Sequence, residues 1–159
     1  NLDINRESDV LEIGCGTGLH LKAIEQTCIG KLAGTDLSSK LLGHYDGRAE
    51  VFSCAAHQQP FEDDDFDRVL MVGVALYFPS EEYFEQVLFE IRRLLRERGK
   101  ALIADLLLGA LKSKSGYSTF NVEWVLKVCE DAGFRWTLMC QNSAKRQINK
   151  RYDLLLEKA

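Results

Sequence analysis

The run Val10–Gly18, VLEIGCGTG, constrains the fold of this chain more than any other segment. A short apolar stretch ends abruptly at three glycines in alternate positions. Leu19–Gln26 then places Leu19, Ala23 and Ile24 at helical spacing. A strand that runs into a glycine turn and leaves it as a helix is the opening unit of a parallel α/β sheet. Residues without a Cβ also let the backbone of such a turn approach a ligand closely.

Three kinds of site begin this way: phosphate cradles, dinucleotide sites and sulfonium-nucleoside sites. A phosphate cradle needs Lys followed by Ser or Thr at the helix start, where this chain has Leu19 and His20. A dinucleotide fingerprint places its third glycine one residue beyond Gly18, at the position of Leu19. That leaves the nicotinamide reading weak.

The rest of the chain extends the alternation of strand and helix. Strands are expected at Val10–Ile13, Lys31–Thr35, Glu50–Ser53, Arg68–Val74, Lys100–Leu106, Phe134–Cys140 and Arg151–Glu157. The fourth, continuously apolar, is expected to be buried on both faces. Ser38 or Ser39 caps a short helix through Leu42. Ser80 starts a long helix with Tyr83, Val87, Ile91 and Leu95 as its buried stripe, closed by Gly99. Asn121–Ala132 is a further helix with Gly133 in its C-terminal cap. The last two strands have no helix between them, only Gln141–Lys150, so they pair as an antiparallel hairpin. The expected fold class is therefore α/β, a mostly parallel seven-stranded sheet with an antiparallel C-terminal hairpin and helices on both faces.

With 159 residues, 46% hydrophobic and 28% charged, the chain fits one domain over residues 1–159. Its first residue is Asn1, almost immediately followed by a strand, and we expect it to be a domain of a longer protein. A net charge of -4 provides no general attraction to nucleic acid or anionic lipid. No apolar run is long enough to cross a bilayer. Five separated cysteines without a Cys-x-x-Cys pair favour free thiols in a reducing compartment, with cytoplasm the default, over a disulfide framework or a metal site.

These residues resemble the class I S-adenosylmethionine-dependent methyltransferases, in particular the small-molecule type related to the ubiquinone and menaquinone biosynthesis enzymes. The resemblance rests on VLEIGCGTG, on GTDLSS at the end of the second strand, on PFEDDDFDRVLMVGVALYF, and on the tail with AGF and RYDLLLEK. It implies the Rossmann-like fold of that family, S-adenosyl-L-methionine as cofactor and a small-molecule acceptor. Neither nucleic acid nor membrane is expected as a partner, whereas other domains of the same polypeptide are. It implies cofactor-binding roles for Glu12, Gly14, Cys15, Gly16, Gly18, Asp36, Leu37, Ala55, Ala56 and Gly73. Within that set, Asp36 accepts the ribose hydroxyls, Leu37 lies against adenine, and Glu12 orients the turn. Tyr77 and Asp105, at strand ends, are the candidate catalytic residues, with Tyr117 a further one. His20 and His44 read as surface residues, His57 as a neighbour of the adenine side, and Cys54 as core. No metal site is implied, the acids Glu62–Asp65 reading as a solvated turn.

The chain departs from the family pattern in three places. Aligned on Pro60-Phe61, the position of an acid that bonds the adenine amino group is Ala55. One missing hydrogen bond costs about 0.5–1.5 kcal/mol, a few-fold to about tenfold in affinity. The N-terminal lid helices common in the family are missing, and the acceptor segment Leu107–Ser118 is short. These departures keep a second expectation open, a non-catalytic binding or scaffolding module. The basic group Lys145, Arg146, Lys150 and Arg151 reads as a solvated hairpin loop.

Overall fold

A computed structural model describes residues 2–107, 117–141 and 151–159. Its strands are β1 (Val10–Ile13), β2 (Leu32–Asp36), β3 (Glu50–Ser53), β4 (Phe66–Val72), β5 (Leu95–Leu107), β6 (Phe134–Cys140) and β7 (Arg151–Lys158). Its α-helices are α1 (Leu19–Glu25), α2 (Ser39–Leu42), α3 (Glu81–Leu94) and α4 (Val122–Asp131), with a single 3-10 turn at Ala75–Tyr77. They form one sheet in the order β3-β2-β1-β4-β5-β7-β6. The first five strands are parallel, and β7 lies antiparallel between β5 and β6. This is the α/β architecture expected, with its C-terminal antiparallel pair. The connection 142–150, with Lys145, Arg146 and Lys150, lies outside the described residues, as does 108–116 of the short acceptor segment.

The side-chain alternation of β1 divides the core in two. Leu11 and Ile13 join a large cluster with α3 and α4, whereas Val10 joins Leu21 of α1 and Leu42 of α2 on the opposite face. Glu12 shares the α1 face with Val10. The caps follow the sequence: Ser38, Ser80 and Asn121 each accept a backbone N–H three residues on, from Leu41, Tyr83 and Trp124. Gly133 follows α4 with φ +77°.

Several boundaries differ from expectation, β4 for example starting at Phe66 rather than Arg68, and two of the differences have a visible cause. Helix α3 ends at Leu94 rather than at Gly99, because Leu95 turns extended, is fully buried and pairs with Phe66. Arg96 fixes this exit: its guanidinium donates to Asp9 Oδ2 at 2.8 Å and to the carbonyls of Asp64 and Asp65 at 3.0 Å each. Gly99 instead serves the following turn, where an added Cβ would stand 2.7 Å from the Arg96 carbonyl oxygen. The buried stripe of α3 is accordingly Phe84, Val87, Leu88, Ile91 and Leu94, with Tyr83 at its margin. Strand β4 stops at Val72 rather than Val74, because Gly73 adopts φ +67° and turns the chain across the sheet's end.

The strand order reverses direction between β1 and β4, which opens a crevice at the carboxyl ends of these strands. Phe84 supports its far wall: the buried ring lies 5.9 Å from Phe78, 4.8 Å from Phe120 and 5.9 Å from Trp124 between centroids. Phe84→Ala should cost about 3–5 kcal/mol and lower the melting temperature by roughly 6–20 °C, measured by thermal denaturation.

Candidate functional site

The crevice is a cleft of about 660 Å³, a volume suited to a nucleoside-sized ligand. Its floor is the turn Gly14–Gly18, its near wall the end of β2 and the segment after β3, and its far wall the segment after β4. The turn is held by backbone geometry first. The N–H groups of Gly14 and Cys15 both donate to the Thr35 carbonyl, at 2.6 and 2.9 Å. Gly14 has φ +75°, and a Cβ there would run into the Val74 side chain across the cleft. Gly16 has φ +55°, and a Cβ there would meet nothing within 4 Å. One glycine is required by close packing and the other leaves backbone open to the cleft.

Asp36 closes the arrangement from β2. Its Oδ2 accepts the Gly16 N–H at 2.9 Å and its Oδ1 the Ser38 N–H at 2.8 Å. The carboxylate therefore ties the glycine turn to the start of α2, and each oxygen retains a further lone pair. Leu37 beside it is 80% exposed at the rim.

Beneath the turn, Glu12 is 2% exposed and its Oε1 lies 2.7 Å from His20 Nδ1. Burial pushes this carboxyl above its ordinary range, while the His20 contact pulls it down. Burial likewise pushes the Cys15 thiol up to about 12, with Glu12 and Asp36 adding to the effect, so Cys15 stays a neutral packing group.

The near wall continues through Cys54 and Ala56. Buried Gln59 anchors it, donating to the carbonyls of Ala55 at 3.1 Å and Ala56 at 3.3 Å while accepting from Thr35 Oγ1 at 2.9 Å. Its own N–H donates to Glu90 Oε1 of α3 at 2.8 Å, and Glu90 pairs with Arg93. Ala55 itself is not among the residues that line the cleft. The far wall carries Val72, Gly73, Val74, Tyr77, Phe78 and Tyr83. Tyr77 is 69% exposed, and its ring meets that of Tyr117 edge-on at 5.5 Å. The hydrogen bond to Tyr117 pushes the Tyr77 phenol upward, so it keeps its proton at neutral pH.

Of the residues singled out in the sequence, the structure brings Gly14, Gly16, Asp36, Leu37, Ala56, Gly73 and Tyr77 into one lining. Glu12 lies buried beneath the turn, and Cys15 and Gly18 belong to the turn but not to the lining, Gly18 packing on Tyr45. Asp105 stands behind Gly73 with its carboxylate in an ion pair with Arg151, and its backbone adopts φ +66°. Sequence reading missed Thr35, Val74, Phe78 and Tyr83, and took Cys54 for core. Only Phe78 carried a usable signal, through its place beside Tyr77. The Gln59 anchor and the Glu12–His20 pair join residues that no local pattern relates.

The methyltransferase domain family matches residues 11–103, more than half of the chain. The tRNA (carboxymethyluridine(34)-5-O)-methyltransferase alkbh8 of Xenopus tropicalis is 37% identical over 95 residues, which cover 59% of this chain and 15% of that protein. The demethylmenaquinone methyltransferase of Thermotoga maritima is 32% identical over 130 residues, covering 78% of this chain and 55% of that one. The chain thus spans only part of the length of these curated relatives. Among solved structures, the Haloferax volcanii complex between the Trm112 methyltransferase activator and the putative methyltransferase aligns with a TM-score of 0.83 at 16% identity. That alignment covers 99% of this chain and 85% of the other, and it speaks to the fold alone. With the glycine turn, Asp36 and the reversed strand order in place, the family match is decisive: the chain belongs to the class I S-adenosylmethionine-dependent methyltransferases.

Proposed function

We propose that the cleft binds S-adenosylmethionine and that the protein transfers its methyl group to a small, largely apolar acceptor. The observation that carries this reading is the glycine turn clamped by Asp36 at the floor of a cleft whose outer walls are apolar. The open space over Gly16 fits close approach of a ligand to the backbone, as the cofactor requires.

The assigned roles follow from position. Asp36 accepts the ribose hydroxyls with its remaining lone pairs, and Gly14 and Gly16 present backbone to the cofactor's ribose and methionine portions. Leu37 covers the adenine with Ala56, and backbone near Ala55 and Ala56 replaces the acid that the sequence lacks. Gly73 keeps the wall beside the methyl group free of a side chain. Glu12, Cys15 and Gly18 act from behind by holding the turn. When bound, S-adenosylmethionine supplies a methyl group on an already electrophilic sulfonium. The chain has to align the acceptor and exclude water. Tyr77 retains its proton at neutral pH, so its part is to orient the acceptor by donating a hydrogen bond rather than to act as base. Asp105, engaged by Arg151, supports the floor beside Gly73 instead of reaching the acceptor.

The small-molecule acceptor is favoured by the lining itself. Among the described residues, no Lys or Arg lines the cleft and Asp36 is its one charged group. A polyanionic acceptor would meet no compensating charge there. The likeness to demethylmenaquinone methyltransferase, which extends over 78% of the chain, supports the same class. The matches to tRNA methyltransferases make tRNA the competing acceptor to test. All five cysteines are free, which suits a reducing compartment such as the cytoplasm. Among the described residues, no helix is long and apolar enough to cross a membrane.

Calorimetry with S-adenosylhomocysteine should give a binding isotherm, and Asp36→Ala should weaken it about tenfold to a hundredfold by removing ribose bonds and the turn's clamp. Gly16→Ala should fold but lose about tenfold or more in the same titration, as its methyl group enters the cleft. Incubation of the intact protein with methyl-labelled S-adenosylmethionine should label a small-molecule extract of cells. Label appearing only in bulk tRNA would overturn the acceptor class, and binding without transfer to either pool would leave a binding module. In the labelled-extract assay, Tyr77→Phe should lower the rate about threefold to tenfold, and Tyr77→Ala by more, through loss of the acceptor's wall.

A further inference from the structure

This inference rests on the reading of the glycine turn as the cofactor's seat, and it concerns what keeps that seat charged and in shape. Glu12 projects from β1 toward α1, on the face opposite Leu11 and Ile13. Its side chain is 2% exposed, and Oε2 is buried with no hydrogen-bond partner. Oε1 is held at 2.7 Å by His20 Nδ1 from the first turn of α1. That helix starts at Leu19 after Gly18, whose position offers no side-chain cap, and the imidazole joins the helix start to the strand beneath it.

A carboxylate in such a place tends to take up a proton, because burial opposes its charge and Asp36 on β2 adds like-charge repulsion. Acting the other way are the His20 ring and the Leu21 backbone N–H, both from α1. Cys15 from the turn is neutral, and the strand neighbours Gly34 of β2 and Leu70 of β4 carry no charge. Among the described residues, His20 is therefore the basic side chain that this carboxylate contacts. Its ring is 46% exposed to solvent, whereas Glu12 is buried.

We propose that His20 is a positioning residue: its imidazole keeps the buried Glu12 carboxylate ionised and fixed beneath the glycine turn, so that cofactor affinity holds into mildly acidic solution.

His20→Gln tests this, since glutamine keeps an N–H donor of similar reach but carries no charge. In the ligand-free protein, carbon NMR of the Glu12 carboxyl, assigned by its loss in Glu12→Gln, should show a protonation midpoint about one pH unit or more higher in His20→Gln. An unmoved midpoint overturns the proposal. In calorimetry with S-adenosylhomocysteine, the wild-type affinity should change by about twofold or less between about pH 8 and about pH 6. The variant should lose about tenfold across the same interval. An equal loss at both ends would mean that His20 only packs, and overturns the proposal too. Failure of the wild-type protein to bind S-adenosylhomocysteine at all would sink the cofactor reading, while the carboxyl titration still decides whether His20 governs Glu12.

Discussion

The site depends on the coupling of β1 to β2. Their parallel register pairs Ile13 with Thr35, which places the Thr35 carbonyl where it accepts two N–H groups of the glycine turn. One residue further, Asp36 reaches back to Gly16. Within the turn the Gly18 N–H bonds the Cys15 carbonyl at 2.8 Å, whereas the N–H groups of Gly14, Cys15 and Gly16 take their acceptors from β2, without which these three donors would be left unpaired. The clamp converts a flexible glycine segment into a preformed surface, and preformed sites bind with less ordering cost.

Around that clamp the molecule divides its work between the two sheet faces. The face bearing α3 and α4 carries the larger apolar cluster and supplies the far wall through Phe78 and Tyr83, backed by Phe84. The face bearing α1 and α2 is smaller and contains Glu12, a polar group among apolar ones. Gln59 bridges the halves by bonding Thr35 on β2, the carbonyls of the cleft wall, and Glu90 on α3. Each bond satisfies a buried polar group, so the network holds only when all its members are in place.

Much of this was legible in the sequence because it is local. Periodicity marked strands and helices, Ser38, Ser80 and Asn121 marked their starts, and the glycine turn with Asp36 marked the ligand end of the sheet. The misplaced boundaries had tertiary causes. The end of α3 at Leu94 depends on a strand partner, Phe66, and on Arg96 reaching Asp9, neither of which lies near it in sequence. The end of β4 depends on a positive φ at Gly73, which a continuous apolar run conceals. The histidine within the first helix carries no signal of its own in the sequence; what it does follows from the carboxylate that the strand places under it.

By itself, the sequence determined the class of fold and the direction of the strands, through the alternation of elements along the whole chain, and the spacing from Glu12 to Asp36 marked the ligand end of the sheet. Tertiary structure alone decided which candidates meet in one cleft. It paired Asp105 with Arg151, put Cys54 into the wall, and set His20 against Glu12. The physical reason is that propensity and periodicity act along the chain, whereas pairing of buried charge and polar groups acts across it and depends on the register of the sheet.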